Sequence, residues 1–226
     1  MSRLRRAWRR GGVRGVSLAA LGRTFYRHVV LIQRDLRPGD PRADCDLPIR
    51  VAPLEFRDLQ AYSTLRPGKA ADAARRIERG SVCYAAWHGD RIASVAWWHP
   101  GEAWIEDIDR SFALHSDEVY AYDAYTAPDL RGQGVAPARA AVTHAALRNR
   151  GFSRVVAFVV PENGPGLRSV TKSGWRRLGR AGYLSVGRWR IEFVRTTEGA
   201  DLRARRWRPQ TERDRPPPTE PTGRLG

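Results

Sequence analysis

The sequence predicts a mixed α/β domain of the α+β kind, and three observations carry that reading. Short runs rich in Val, Ile, Tyr and Trp alternate with segments of helix-favouring composition across the middle of the chain. One such run, Val119 to Thr126, leads through a glycine-bearing turn straight into a helix reaching about Leu147. The chain has 226 residues, and the roughly 150 between its arginine-rich ends suffice for one core of ordinary size.

The elements follow in order. Ile49 to Leu54 is a short apolar strand, and Leu54 to Leu65 and Ala70 to Arg79 read as helices separated by Pro67 and Gly68. Ser81 to Trp87 and Arg91 to Trp98 flank His88-Gly89-Asp90 and read as a hairpin, at whose end Trp97, Trp98 and His99 are candidates to line a pocket. About Glu102 to Asp117 reads as a loop with an acidic cluster, Glu106, Asp107 and Asp109. The fourth strand, Val119 to Thr126, is broken by Pro128 and Asp129. After the helix come Gly151, a fifth strand from Arg154 to Val160, a second helix between Asn163 and Gly174-Trp175, and a pair of strands turned by Gly187.

The turn before the first of these two helices is a candidate phosphate site. Gly132 and Gly134 let successive amides point one way, Pro137 falls in the first helical turn where its missing donor is harmless, and no acidic side chain opens the helix. Free amides and the positive end of the macrodipole favour an anion, with Arg131 at the rim. A Walker A loop needs Gly-Lys-Ser/Thr, where this chain has Gly134-Val135-Ala136. A dinucleotide fingerprint finds two of its three glycines in Gly132 and Gly134, but no acid-ended strand follows in βαβ order.

Arg131-Gly-Gln-Gly-Val-Ala136, preceded by Pro128-Asp-Leu, resembles the acetyl-CoA loop of the GNAT superfamily of N-acetyltransferases, and Asn163 with Gly174-Trp175 matches a second family feature in order and spacing. The resemblance covers about residues 47–196. It implies a mixed, mostly antiparallel central sheet with helices on both faces and a splay between the fourth and fifth strands. It also implies acetyl transfer to a primary amine, directly and in a ternary complex, with acetyl-CoA as co-substrate and no metal. In the same terms, the backbone of Ala124, Tyr125 and Thr126 pairs with the pantetheine arm, the amides of Arg131, Gly132, Gln133, Gly134, Val135 and Ala136 hold the pyrophosphate, and Asn163 contacts the cofactor. Where many relatives carry a tyrosine acid, seven residues after that Asn, this chain has Val170.

Acetyl transfer to an amine needs a polarised carbonyl, a neutral nucleophile and a proton for the thiolate. Candidates for the proton work are Glu118 through a water, then Asp123, with Tyr122 beside them. On an unbroken strand Glu118, Tyr120 and Tyr122 share a face with Ala124 and Thr126, and Asp123 and Tyr125 take the other. The acceptor is a small-molecule or peptide amine, which the acidic cluster would recruit if cationic. The assembly is expected to be a monomer or homodimer.

The net charge of +16 is lopsided. Residues 1–42 hold 11 Arg against 2 acids, while 43–200 hold 22 basic and 18 acidic residues, a mildly basic body suited to a polyanionic cofactor without nucleic acid. Residues 1–46 form a basic arm in which Leu18, Leu21, Phe25, Val29 and Ile32 recur at helical spacing, a candidate for contact with an anionic membrane through residues 1–34; His28 to Arg34 also reads as an added strand. Residues 197–226 alternate Arg with Pro and read as a disordered tail. Two cysteines, no clean signal-peptide core and no long apolar run point to a cytoplasmic chain, at most peripheral at the inner face of the membrane. Two other readings are a noncatalytic acyl-CoA-binding module and a nucleic-acid binder acting through its Arg-rich ends.

Overall fold

The computed structural model describes residues 26–38, 44–164, 174–186, 189–197, 200 and 202–209. Among them the strands are β1 (Tyr26–Asp35), β2 (Arg50–Pro53), β3 (Val82–His88), β4 (Arg91–Pro100), β5 (Glu102–Ile105), β6 (Arg110–Ala113), β7 (Glu118–Thr126), β8 (Arg154–Val159), β9 (Arg176–Val186), β10 (Trp189–Thr196) and β11 (Trp207–Pro209). The helices are α1 (Leu59–Leu65), α2 (Ala70–Glu78) and α3 (Val135–Asn149).

Eight strands form one mixed sheet, ordered β10-β9-β1-β8-β7-β4-β3-β2, and β11-β6-β5 form a second. Every pair is antiparallel except β7 with β8. That parallel ladder covers only Glu118 to Tyr120, after which the two strands part and β7 runs on to Thr126. The expected mixed, mostly antiparallel sheet with a splay at this pair is therefore what the chain forms.

Strand alternation puts helices on both faces. Cys83, Ala85, Val95 and Trp97 pack with Tyr62, Leu65 and Ala73 of α1 and α2. Tyr84, Ala96 and Trp98 face the other way onto Leu147 of α3, and Ala86 and Ala93 meet Val135 at its start. The helix expected from Leu54 is shorter. The chain leaves β2 at Pro53, makes a 3-10 turn at Phe56–Asp58 closed by a capping box between Glu55 and Asp58, and enters α1 at Leu59.

Three expectations are corrected. Val29 and Ile32 lie on a strand, not a helix: β1 is inserted between β8 and β9, so the expected domain boundary at residue 46 falls after a strand of the main sheet. Val29 and Leu31 pack into one core cluster and Val30 and Ile32 into another, because the strand is covered on both faces and reads as a continuous apolar run. The added-strand reading of His28 to Arg34 is the one the structure has, and a lipid contact through these residues is excluded by their burial. Second, the segment from Glu102 to Asp117 is no simple loop: Ala103, Ile105 and Phe112 are core residues of β5 and β6. Third, order continues past residue 197. Leu202 is fully buried, and Trp207–Pro209 pair with β6.

The amphipathic spacing before residue 26, the helix expected between Asn163 and Gly174 with Val170, and the Arg/Pro-rich segment after 209 lie outside the described residues. No helix among the described residues is long and apolar enough to cross a membrane.

Candidate active site

Thr126 ends β7, Pro128–Leu130 form one 3-10 turn, Arg131 is extended, and Gly132 and Gly134 adopt φ of +79° and +74°. That left-handed pair aims the chain into α3, whose N-cap is Gly134 with no side-chain cap and no acid in its first turn. The first helical bond runs from Ala138 N–H to the Gly134 carbonyl, so the Val135 and Ala136 amides have no acceptor within the helix. Arg131 Nε donates to the Thr126 carbonyl at 3.2 Å, and both its guanidinium and that of Arg66 lie over the Tyr125 ring, 5.7 and 4.6 Å from the centroid. Asp129, the one acid in the preceding turn, is neutralised by Arg91 in a two-bond pair of 2.8 and 3.0 Å. The Gln133 side chain donates to the Asp129 carbonyl.

Gly134 has a second reason to be glycine. A Cβ there would overlap the Asp44 carbonyl oxygen, and Asp46 N–H donates to the Gln133 carbonyl at 3.3 Å. The segment at 44–46 thus lies against the turn, a contact the sequence does not suggest. Beneath the helix, Arg139 is buried without a carboxylate partner among the described residues. Its Nε donates to Ser94 Oγ at 3.1 Å, Nη1 has no partner, and burial lowers its pKa to about 10. Ser94 Oγ also donates to the Tyr125 carbonyl and meets Thr126 Oγ1 at 2.9 Å, tying α3 to the end of β7.

The middle of β7 carries a bulge. Val95 pairs with Tyr125 but Trp97 with Tyr122, so Asp123 and Ala124 oppose Ala96 alone, and Asp123 takes φ of +46°. The extra residue overturns the strict parity expected along this strand. Tyr122 and Tyr125 pack into the same cluster beneath α1 and α2, while Thr126 turns to Ser94 on the α3 side. Asp123 reaches the α1 and α2 side as well, where its carboxylate, 3% exposed, takes bonds from Arg66 at 3.0 Å and Arg76 at 2.5 Å. Ala124, beside it, is exposed on the open stretch of β7.

Glu118 is not placed for base catalysis. It lies at the far end of β7, fully buried, with Arg205 donating to both oxygens at 2.6 and 2.8 Å and His115 N–H at 3.0 Å. Burial pushes its pKa up, but the hydrogen bonds and charges from Arg205, His115 and Arg154 outweigh that and leave it below the ordinary carboxylate range. Its partner belongs to the segment read as a disordered tail, which is why the sequence gives no sign of the pairing.

Tyr122 fares differently. Its hydroxyl donates to Ser81 Oγ at 3.0 Å, and Ser81 Oγ lies 2.9 Å from His99 Nδ1. Burial raises the Tyr122 pKa to about 12 and lowers that of His99. Of the aromatic trio ending the hairpin, Trp97 and Trp98 are core residues on opposite faces and only His99 is polar and partly open. The acidic cluster is occupied: Asp107 pairs with Arg27 and Asp109 with Arg190, so neither is a free carboxylate awaiting a cationic amine. Asn163 follows the end of β8, its N–H donating to the Val160 carbonyl at 3.0 Å. Ser81, Arg66 and Arg76, which complete this region, sit in stretches without any local motif, and Arg139 follows the loop on α3 without any sign of its burial.

No family model matches the sequence, and no curated protein matches it. Solved structures do. An acetyltransferase of the GNAT family from Colwellia psychrerythraea is 14% identical with a TM-score of 0.48, over 68% of this chain and 54% of that one. A protein assigned as a GNAT-family acetyltransferase from Novosphingobium aromaticivorans is 16% identical with a TM-score of 0.46, over 69% and 61%. An aminoglycoside N-acetyltransferase in complex with CoA is 17% identical with a TM-score of 0.45, over 56% and 87%. The aligned part of this chain spans 54–61% of the length of the first two.

Proposed function

We propose that this chain is an acetyl-CoA-dependent N-acyltransferase that moves an acetyl group directly to a primary amine. The observation that carries the reading is the N-terminus of α3, without a side-chain cap or an acid in its own first turn, entered through two left-handed glycines and set beside the stretch of β7 that has parted from β8. Such a mouth suits a polyanion joined to an extended arm, and the loop residues resemble those that bind acetyl-CoA in the GNAT superfamily. The donor set fits: amides at Val135 and Ala136 without acceptors in the helix, and Arg131 at the rim.

In this reading the amides from Arg131 to Ala136 hold the pyrophosphate, and the backbone of Ala124, Tyr125 and Thr126 takes the pantetheine arm as an added strand. Asn163 contacts the cofactor at the end of β8. The thioester supplies an activated acetyl group; the amine forms the new C–N bond as the C–S bond breaks. The bulge at Asp123 frees backbone amides of the kind that meet negative charge growing on a carbonyl oxygen. Asp123 sets that bulge in place through Arg66 and Arg76 rather than acting as a base. Tyr122, a phenol held near pKa 12, stays protonated, so it donates or passes on a proton.

Titration calorimetry with acetyl-CoA, beside an Ala136→Glu variant, tests the assignment. Binding by the wild-type chain that weakens in the variant supports it; no binding by the wild-type chain overturns it. Binding with no thiol release across a panel of primary amines would leave a noncatalytic acyl-CoA module.

A further inference from the structure

Three side chains far apart in the chain form one hydrogen-bonded series. Ser81, just before β3, is buried and anchored by its N–H to the Arg76 carbonyl at 2.9 Å. It stands between Tyr122 of β7 and His99 at the end of β4. Because the Tyr122 hydroxyl donates to Ser81 Oγ, the serine proton is left to point at His99 Nδ1, which places the imidazole hydrogen on Nε2. The phenol has spent its proton on Ser81 and keeps its lone pairs for a further donor. The imidazole is held against Trp104, with ring centroids 4.2 Å apart.

The groups around the series leave it neutral. Glu102 of β5, the carboxylate whose charge acts on His99, accepts from Ser111 Oγ at 2.6 Å and Trp104 Nε1 at 3.3 Å. Tyr120, paired with His99 across the strands, donates to the Trp104 carbonyl and stacks on Tyr122 with centroids 5.3 Å apart. The Arg76 guanidinium lies 5.2 Å from the Tyr122 centroid and is tied to Asp123. Burial lowers the His99 pKa and the Glu102 charge opposes that only in part, so the ring is an empty proton acceptor at neutral pH.

We propose that His99, Ser81 and Tyr122 are a proton relay that carries away the proton released by the attacking amine, an inference that rests on the acyl-transfer reading. The amine proton moves to the Tyr122 oxygen as the Tyr122 proton moves to Ser81 Oγ and the Ser81 proton to His99 Nδ1. The tyrosine and serine end unchanged, one N–H bond on the amine is broken, one is formed on His99, and the imidazolium, at the partly open end of β4, returns the proton to solvent. Tyr122 is the catalytic residue of the three; Ser81 and His99 act through it.

The test measures kcat, KM and their pH dependence for wild type, His99→Gln and Ser81→Ala, with acetyl-CoA and whichever of glycinamide, glucosamine and putrescine the wild type acetylates fastest. Acetyl-CoA titration and thermal melts run alongside. The relay predicts an acid-side inflection in wild-type kcat below pH 6.5, the ordinary histidine value. Both variants should lower kcat by about a hundredfold, lose that inflection and keep acetyl-CoA affinity; His99→Gln should keep the melting temperature, and Ser81→Ala, which unpairs the Tyr122 hydroxyl, should lower it by a few degrees. In wild-type protein, 15N spectra of the histidines should show His99 protonated on Nε2 only. Variants that retain the inflection, with kcat within about twofold of wild type, overturn the relay while leaving acyl transfer intact. So does a protonated Nδ1 at neutral pH. Absence of acetyl-CoA binding by wild type overturns both readings.

Discussion

Arg205 seals Glu118 into the protein: across 87 positions of sequence its guanidinium donates to both oxygens of a carboxylate with no solvent exposure. The pair fastens the segment after β10 to the first residue of β7, where that strand still runs beside β8. Arg205→Ala would leave a fully buried carboxylate with only His115 N–H and the more distant Arg154, 3.7 Å away, and should cost about 3 kcal/mol in urea unfolding. Glu118→Gln, which keeps a polar group for Arg205, should cost less and leave acetyl-CoA affinity within about twofold of wild type, measured by calorimetry.

Acid should loosen the same region. Asp117 is held down to about 2 by hydrogen bonds from Arg154 and Ser153, and Glu118 is also held below its ordinary value. A carboxylate with a depressed folded pKa contributes stability that is present above its unfolded value, near 4, and is lost as pH falls through the folded one. His28 and His99, whose pKa values burial lowers, resist protonation in the folded state, so the urea midpoint should decline gently below pH 6.5 and more steeply below about 5 as the two carboxylates protonate. Glu118→Gln should flatten the acid limb, and an unchanged limb would remove Glu118 from this account.

Ala136→Glu should move stability and binding in opposite directions. A carboxylate in the first turn of α3 complements the helix dipole and should raise stability by about 0.3–1 kcal/mol in denaturant. The same charge competes with a phosphate at these amides and should weaken acetyl-CoA at least about tenfold, or ~1.4 kcal/mol. A variant that loses both stability and binding would point to a packing defect instead.

The two turn glycines should differ. Gly132→Ala meets open space and pays only for its left-handed backbone, on the order of 1 kcal/mol. At Gly134 the added methyl also overlaps the Asp44 carbonyl, so Gly134→Ala should cost more than Gly132→Ala, as compared by urea midpoints.

The alternation of strand and helix, the hairpin through Gly89 and the turn from Pro128 to Pro137 were legible in the residues, because each is a local backbone event. A glycine's positive φ, a proline in a first helical turn and two-residue periodicity act within one or two turns of chain. The bare start of α3 was readable for the same reason. The sheet's alternation at β7 was not, since the bulge falls at Asp123, whose carboxylate pairs with Arg66 and Arg76, 57 and 47 positions away, and it changes which side chains share a face. Nor was the fate of Glu118: a carboxylate on a strand looks the same in sequence whether it meets water or Arg205.

By itself the sequence determined the class of fold, the glycine turn into α3 and the order of elements around it. Only the tertiary structure decided that Val29 and Ile32 belong to a strand between β8 and β9, that Glu118 is an anchor, and that Tyr122 is wired through Ser81 to His99. Local geometry follows from steric limits on φ and ψ that neighbouring residues impose. The partners of a buried charge or an apolar strand are chosen instead by burial, which depends on segments far apart in the chain arriving at the same place.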